Sequence, residues 1–297
     1  MQEIESSKIE NNFTKASSLK ATTLAINEHN EGYERNLIEA YTLHLADTNL
    51  ILAQRNAEWC GHGPILEQDI AITNISLDLI GQARNFYQYA AQIINKTETA
   101  ASSKATSSPA EGVGREVTED SLAYLRTERE FKNFLLVELP NGDWAQTILR
   151  QFFFSAYQYL LYQKLQNNID EQIAAIAAKA LKEVTYHQRW SSEWVVRLGD
   201  GTEESRERIL KAIDELWRYT GEMFLPAAYE MEAGYDVSLL KDDWFKKITS
   251  VFEEATLPVP EKTFMQTGGK TGTHTEHLGF ILTELQYLQR TYPGAEW

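Results

Sequence analysis

The chain has 297 residues, 43% of them hydrophobic and 24% charged, which is ordinary globular composition. Such a chain buries a sizeable core without staples, so wholesale disorder is excluded. With 43 acidic against 28 basic side chains the net charge is −15, which repels a polyphosphate backbone and argues against a nucleic-acid partner.

The lone cysteine, Cys60, cannot form an internal disulfide and fits a reducing compartment. The first residues, Met1-Gln2-Glu3-Ile4, are acidic where a signal peptide is basic. No run approaches the ~18 apolar residues of a membrane span. The expected location is therefore cytoplasmic, with no membrane contact.

Residues 1–35 are polar and mixed in charge, which predicts a flexible extension ahead of a single helical domain at 36–297. Ile38, Tyr41, Leu45, Leu52 and Trp59 then fall on one stripe at helical spacing and predict a helix over 37–60. Pro64 suits the first turn of a second helix, 64–94. A stretch rich in Ser, Thr and Ala predicts a disordered insert at about 97–117. Further helices are expected at 118–139, 143–167, 170–198, 202–232, 238–254 and 273–292. Pro140-Asn141-Gly142 is a turn, and Asp143 with Gln146 caps the helix after it. Gly199-Asp200-Gly201 ends another helix, Thr202 caps the next, and Pro226 predicts a kink or break. Two-residue alternation is almost absent, so the fold class is all-α, a bundle of long antiparallel helices.

Such a bundle can hold a carboxylate-bridged di-metal site. That site takes one Glu from each of two helices and Glu-x-x-His from each of the other two. The oxygen and imidazole donors together suit iron. Here Asp78 is followed at i+3 by Gly81. Glu183 is followed at i+3 by Tyr186, and His187 lies one residue further, rotated by about 100°. The fourth helix has no Asp or Glu between Gln146 and Gln166, while the first offers Asp47 and Glu58. Asp78, Glu183 and His187 thus read as remnants of a degenerate metal site, with hydrogen-bonding roles in the core. No metal is expected in this chain.

Three other motifs stand out. Glu58, Cys60 and His62 suggest a nucleophile pair, but no third group orients them and Gly61 and Gly63 signal a helix end. Thr267 to His277 lacks the first glycine of a phosphate loop, because Phe264 stands there, and no strand precedes it. Thr273 and Glu276 have capping-box spacing, and Gly268, Gly269 and Lys270 form either an anion site or a plain glycine turn. The run from Arg126 to Asn133 is charge-rich, as a solvated helix face would be, or it lines a groove for an acidic, aromatic ligand. Phe152, Phe153, Phe154, Tyr157 and Tyr159 offer more apolar surface than one helix face buries, so a partner-facing patch is expected there.

Several runs carry a resemblance: QRNAEWCGH at 54–62, NISLDLIGQARNF at 74–86, EREFKNFLLVE with PNG at 128–142, KEVTYH at 182–187, LWRYT at 216–220, and 267–297 throughout. From about residue 36 onward the chain resembles the C subunits, the non-catalytic ones, of bacterial 1,2-phenylacetyl-CoA epoxidases. The resemblance implies a ferritin-like fold with no catalytic residue and no cofactor in this chain. It implies three partners: a homologous catalytic subunit that keeps the di-iron centre, a small accessory subunit, and a reductase with FAD and iron–sulfur that draws on NADPH. Together they would epoxidise the ring of phenylacetyl-CoA with oxygen, this chain holding the catalytic subunit in shape. The resemblance also places Glu130, Phe131, Lys132 and Asn133 near the substrate, making phenylacetyl-CoA a ligand. The rival expectations are an autonomous ferritin-like di-iron oxygenase or ferroxidase, and a stand-alone acyl-CoA-binding module.

Overall fold

The computed structural model describes residues 37–104, 116–261 and 263–295, and among these every regular element is helical. The long helices are α1 (37–57), α2 (Leu66–Lys104), α5 (Trp144–Leu165) and α6 (Glu171–Gly199). Between them lie the short α3 (Glu119–Tyr124) and α4 (Leu135–Glu138). After them come α7 (Glu203–Leu216), α8 (Ala228–Glu232), α9 (Lys241–Glu254), α10 (Glu276–Leu285) and α11 (Tyr287–Thr291). An all-α bundle is the fold, as periodicity predicts.

The helix starts follow from their caps. Asp143 accepts from Gln146 N–H at 3.0 Å, Asp170 from Gln172 and Ile173, and Thr202 from Ser205. The expected cap at Thr273 does not form. Thr273 N–H is turned back to Gly268 O, and Thr275 caps α10 instead. The helix expected over 202–232 ends at Leu216 and continues as two 3₁₀ turns, with the break at Leu225–Ala227 around Pro226.

Helix α5 packs on α6, α7 and α9 at once, and α2 packs on α6. This corrects the expected partner-facing patch: Phe152, Phe153, Phe154 and Tyr157 are all buried and Tyr159 half-buried, because α5 is internal. The expected insert at 97–117 also starts late. Helix α2 runs on to Lys104, with Thr97 and Thr99 hydroxyls bonding back to Ile93 O and Asn95 O. On the far side Asn95 pins Val117, donating to its C=O and accepting from its N–H. Residues 105–115, like the expected extension at 1–35, lie outside the described residues.

The largest departure is at 118–139, where one helix is expected. The structure has α3, a 3₁₀ turn at Glu128–Glu130, an extended strap over 131–134, and α4. A buried carboxylate on α1 takes the place of helical bonds. Asp47 Oδ2 accepts from Lys132 N–H at 2.8 Å and Arg126 Nη1 at 3.1 Å; Oδ1 accepts from Tyr87 O–H at 2.6 Å and from Arg126 Nη2. Arg126 is buried, its guanidinium 4.4 Å from the Phe131 ring centroid. The charge-rich run is therefore not a solvated helix face, and Asp47 does not face the middle of the bundle. Replacing Asp47 by Ala strands the Arg126 charge and should cost about 3–5 kcal/mol in denaturant unfolding. Tyr87→Phe should cost about 1 kcal/mol. Equal, small losses for both variants would mean that the strap is held by other contacts.

Candidate functional site

At mid-bundle the four long helices face one another with polar side chains. Helices α2 and α6 run antiparallel and are joined by two rungs four residues apart. His187 Nε2 lies 3.0 Å from Asp78 Oδ2, and Gln82 Nε2 donates to Glu183 Oε2 at 2.9 Å. The three predicted remnants, Asp78, Glu183 and His187, are thus together, with Gln82 as the fourth member. Inward-facing positions are i and i+4. The i+3 residues, Gly81 and Tyr186, are exposed, so neither stands where a metal ligand would.

Helices α1 and α5 are joined in the same way, by amides seven residues apart. Asn56 Nδ2 donates to Gln151 Oε1 at 2.7 Å, and Gln158 Nε2 donates to Asn49 Oδ1 at 2.7 Å. Gln158 Nε2 also reaches Gln82 Oε1 at 3.1 Å and Tyr162 Oη at 3.1 Å, which couples the two pairs of helices. Sequence reasoning missed these amides, because it sought carboxylates and imidazoles.

The orientation of each amide is fixed by its neighbours. Asn49 Nδ2 donates to Leu45 O at 2.8 Å and Gln82 Nε2 to the Glu183 carboxylate, so both present oxygen to Gln158. Gln158 must then present its nitrogen. A carboxylate-bridged iron pair needs anionic oxygens converging on that point. Here the α5 position directs N–H groups inward instead, and His187 is already bonded to Asp78. The donor set does not fit a di-iron centre. Among the described residues no three His, Cys, Asp or Glu side chains are grouped to hold a metal ion.

The glycine loop does bind an anion, and the anion is the protein's own. Glu222 Oε1 accepts from Gly268 N–H at 2.8 Å and Gly269 N–H at 2.7 Å, while Oε2 accepts from Leu135 N–H at 2.8 Å. A side chain at 269 would collide with Asn133 O. Lys270 is buried and donates to Glu230 Oε2 at 2.7 Å and Leu225 O at 2.9 Å. His274 sits between two acceptors, Glu138 Oε2 and Phe131 O, each at 2.9 Å, and so donates from both nitrogens as an imidazolium. Burial is the largest single influence and opposes that charge, but the bond to Glu138 and its charge, the Phe131 carbonyl and the charge of Glu128 together outweigh it and hold the pKa above the ordinary histidine value.

The residues placed near substrate by resemblance all lie on the strap. Glu130 is exposed and accepts from Thr127 N–H and O–H, both at 2.6 Å. Phe131 and Asn133 are buried, and Asn133 donates to Glu138 Oε2 at 2.9 Å. Lys132 is half-buried with Nζ 5.5 Å from the Tyr229 ring centroid. Cys60 and His62 lie beyond the end of α1, exposed, in a turn closed by His62 N–H to Trp59 O.

Residues 14–297 match the sequence profile of a family described as phenylacetic acid catabolic protein. The chain belongs to that family. Among curated proteins it is similar to the C subunit of the 1,2-phenylacetyl-CoA epoxidase of Escherichia coli (strain K12), being 45% identical over 267 residues that cover 88% of this chain and 100% of that protein. The family match starts at residue 14, inside the stretch expected to be an added extension. The α2–α6 and α1–α5 rungs and the strap all fall within the matched region.

Two buried histidines set opposite pH limits. Burial, with the nearby Lys270 charge second, pushes His44 down to about 3, and its Nδ1–H donates to Lys132 O at 2.7 Å. The unfolded chain takes a proton near pH ~6.5 that folded His44 refuses, so stability falls as pH drops from ~6.5 toward 3. His274 has the opposite sign. Its contribution is whole below ~6.5 and is lost as pH rises through the raised folded value. Thermal unfolding followed against pH should show a flatter acid limb for His44→Gln and a flatter basic limb for His274→Gln. An unchanged basic limb in His274→Gln would contradict the imidazolium assignment.

Proposed function

We propose that this chain is the structural, non-catalytic subunit of a multicomponent oxygenase that epoxidises the aromatic ring of phenylacetyl-CoA. A homologous subunit would carry the di-iron centre and the oxygen chemistry. A small accessory subunit and a reductase bearing FAD and iron–sulfur, fed by NADPH, would complete the assembly in the cytoplasm. The reading is supported by the likeness to the C subunit of a phenylacetyl-CoA epoxidase. The observation that carries it is the amide lattice: Gln158 donates N–H to two oxygens at the place where a di-iron bundle needs anionic acceptors.

A subunit with this role needs a face for its partner. Helix α2 presents Leu66, Ile70, Leu77 and Ile80 to solvent, at 72, 51, 60 and 42% exposure. Around Gly81 no atom beyond its own stretch of helix lies within 4 Å of where a Cβ would be, which leaves room for close helix approach. An exposed apolar stripe of this length suits helix-on-helix docking. The strap from Glu130 to Asn133 would flank the substrate, Lys132 being its one cation. Its role there would be to position phenylacetyl-CoA, the reacting ring lying with the partner's iron.

The test is turnover of the assembled complex with Glu183→Ala in this chain. Losing the bond to Gln82 should lower stability and assembly by roughly 1–3 kcal/mol. Turnover per assembled complex should stay near the wild-type value. A hundredfold fall at intact assembly, about 2.7 kcal/mol of barrier, would make this chain catalytic.

A further inference from the structure

Helices α2 and α6 share an outer surface. Their two rungs join Asp78 to His187 and Gln82 to Glu183, and the residue before each rung member is exposed: Leu77 and Gly81 on α2, Lys182 and Tyr186 on α6. The helices are antiparallel, so one step back turns both by about 100° toward the same side of the pair. Leu77, Gly81, Lys182 and Tyr186 therefore lie on one surface. Exposed Ile80 adjoins Gly81, and exposed Lys179 stands one turn from Lys182. Arg189 joins them, also exposed, its guanidinium 6.0 Å from the Tyr186 ring centroid.

The charge on this surface is opposite to that of the chain as a whole, which is −15. From Gln172 to Ser192, α6 carries Lys179, Lys182 and Arg189 and a single acid, Glu183, whose carboxylate accepts from Gln82 of α2. Among the described residues Lys179 and Lys182 form no ion pair, and Arg189 reaches only Glu193, at 4.0 Å. Arg84, exposed one turn beyond Ile80, adds a further cation, loosely paired with Glu119 at 3.5 Å. Toward Leu66 the sign is mixed, with Glu67, Glu193 and Arg197 all exposed. The cationic part thus runs beside Leu77 and Ile80.

A surface that is apolar along one helix and cationic along the next selects its partner. A second copy of this chain, docked by a two-fold axis, would set the patch against itself and offer these cations no acid from within it. A purely acidic partner would leave Leu77 and Ile80 unpaired. We propose that this face takes an α-helix of a partner protein, with apolar residues packed on Leu77 and Ile80 across Gly81 and Asp or Glu side chains along its edge meeting Lys179, Lys182 and Arg189. The proposal rests on the reading of this chain as a subunit docked to a homologous one, and it adds the chemistry of the docked helix. The apolar contact supplies affinity; the cation row speeds encounter and fixes which edge of the helix faces α6.

Association of the full chain with the purified homologous catalytic subunit, timed by stopped flow over a range of salt, tests this. The wild-type rate constant should fall about tenfold or more as salt rises. With Lys179→Glu, Lys182→Glu and Arg189→Glu together, association at low salt should be at least about tenfold slower, and salt should now speed it. Leu77→Glu tests the docking face itself and should prevent assembly. If Leu77→Glu assembles as wild type does, the face and the proposal both fall. If Leu77→Glu blocks assembly while the triple variant keeps the wild-type rate and salt dependence, the proposal alone falls. A dimer of this chain that Leu77→Glu dissociates would overturn the choice of occupant, as would binding to phosphatidylglycerol vesicles that the triple variant loses. Should a variant not fold, the wild-type chain decides: a rate indifferent to salt overturns the proposal.

Discussion

Gln158 sits between two amide oxygens, and a backbone carbonyl and a carboxylate further out have already fixed the direction of both. Its own direction follows, and so does the character of the bundle centre. With carboxylates at α1 and α5 the centre would repel itself unless cations entered. With amides it is held by hydrogen bonds between neutral groups, which a low-dielectric interior strengthens. The price is sensitivity. Each member fixes the next, so one lost donor leaves several buried oxygens unpaired.

A second constraint shapes the rest of the chain. Three buried carboxylates on different elements reach across to backbone N–H groups: Asp47 to Lys132, Glu222 to Leu135, Gly268 and Gly269, and Glu138 to Thr275. Each such bond satisfies a donor that helical geometry would otherwise have paired. The segment from Arg126 to Glu138 can therefore lie extended over the bundle. The glycine loop folds down on it and is held there by the His274 imidazolium.

These two constraints explain what could be read beforehand. The long helices were legible because their apolar stripes and caps are local, as with Asp143 and Thr202. The strap was not, because Asp47 and Lys132 are 85 residues apart and nothing local announces their bond. Asp78, Glu183 and His187 were legible as a cluster, since carboxylate and imidazole at helical spacing attract a metal hypothesis. Asn49, Asn56, Gln151 and Gln158 were passed over, though a signal existed. Both pairs are spaced by seven within apolar stretches, which puts two amides on the buried face of each helix. Buried amides in facing pairs read as a lattice as readily as carboxylates read as a metal site.

The centre of the bundle either holds itself together by hydrogen bonds or is a ligand set awaiting metal. Iron content of the purified chain after ferrous loading, with Mössbauer spectra of the product, separates these directly. The amide lattice predicts no stoichiometric iron and no coupled pair. About two irons per chain with an antiferromagnetically coupled spectrum would contradict it, because Gln158 would then have to turn its oxygen inward and break the bonds that define the core.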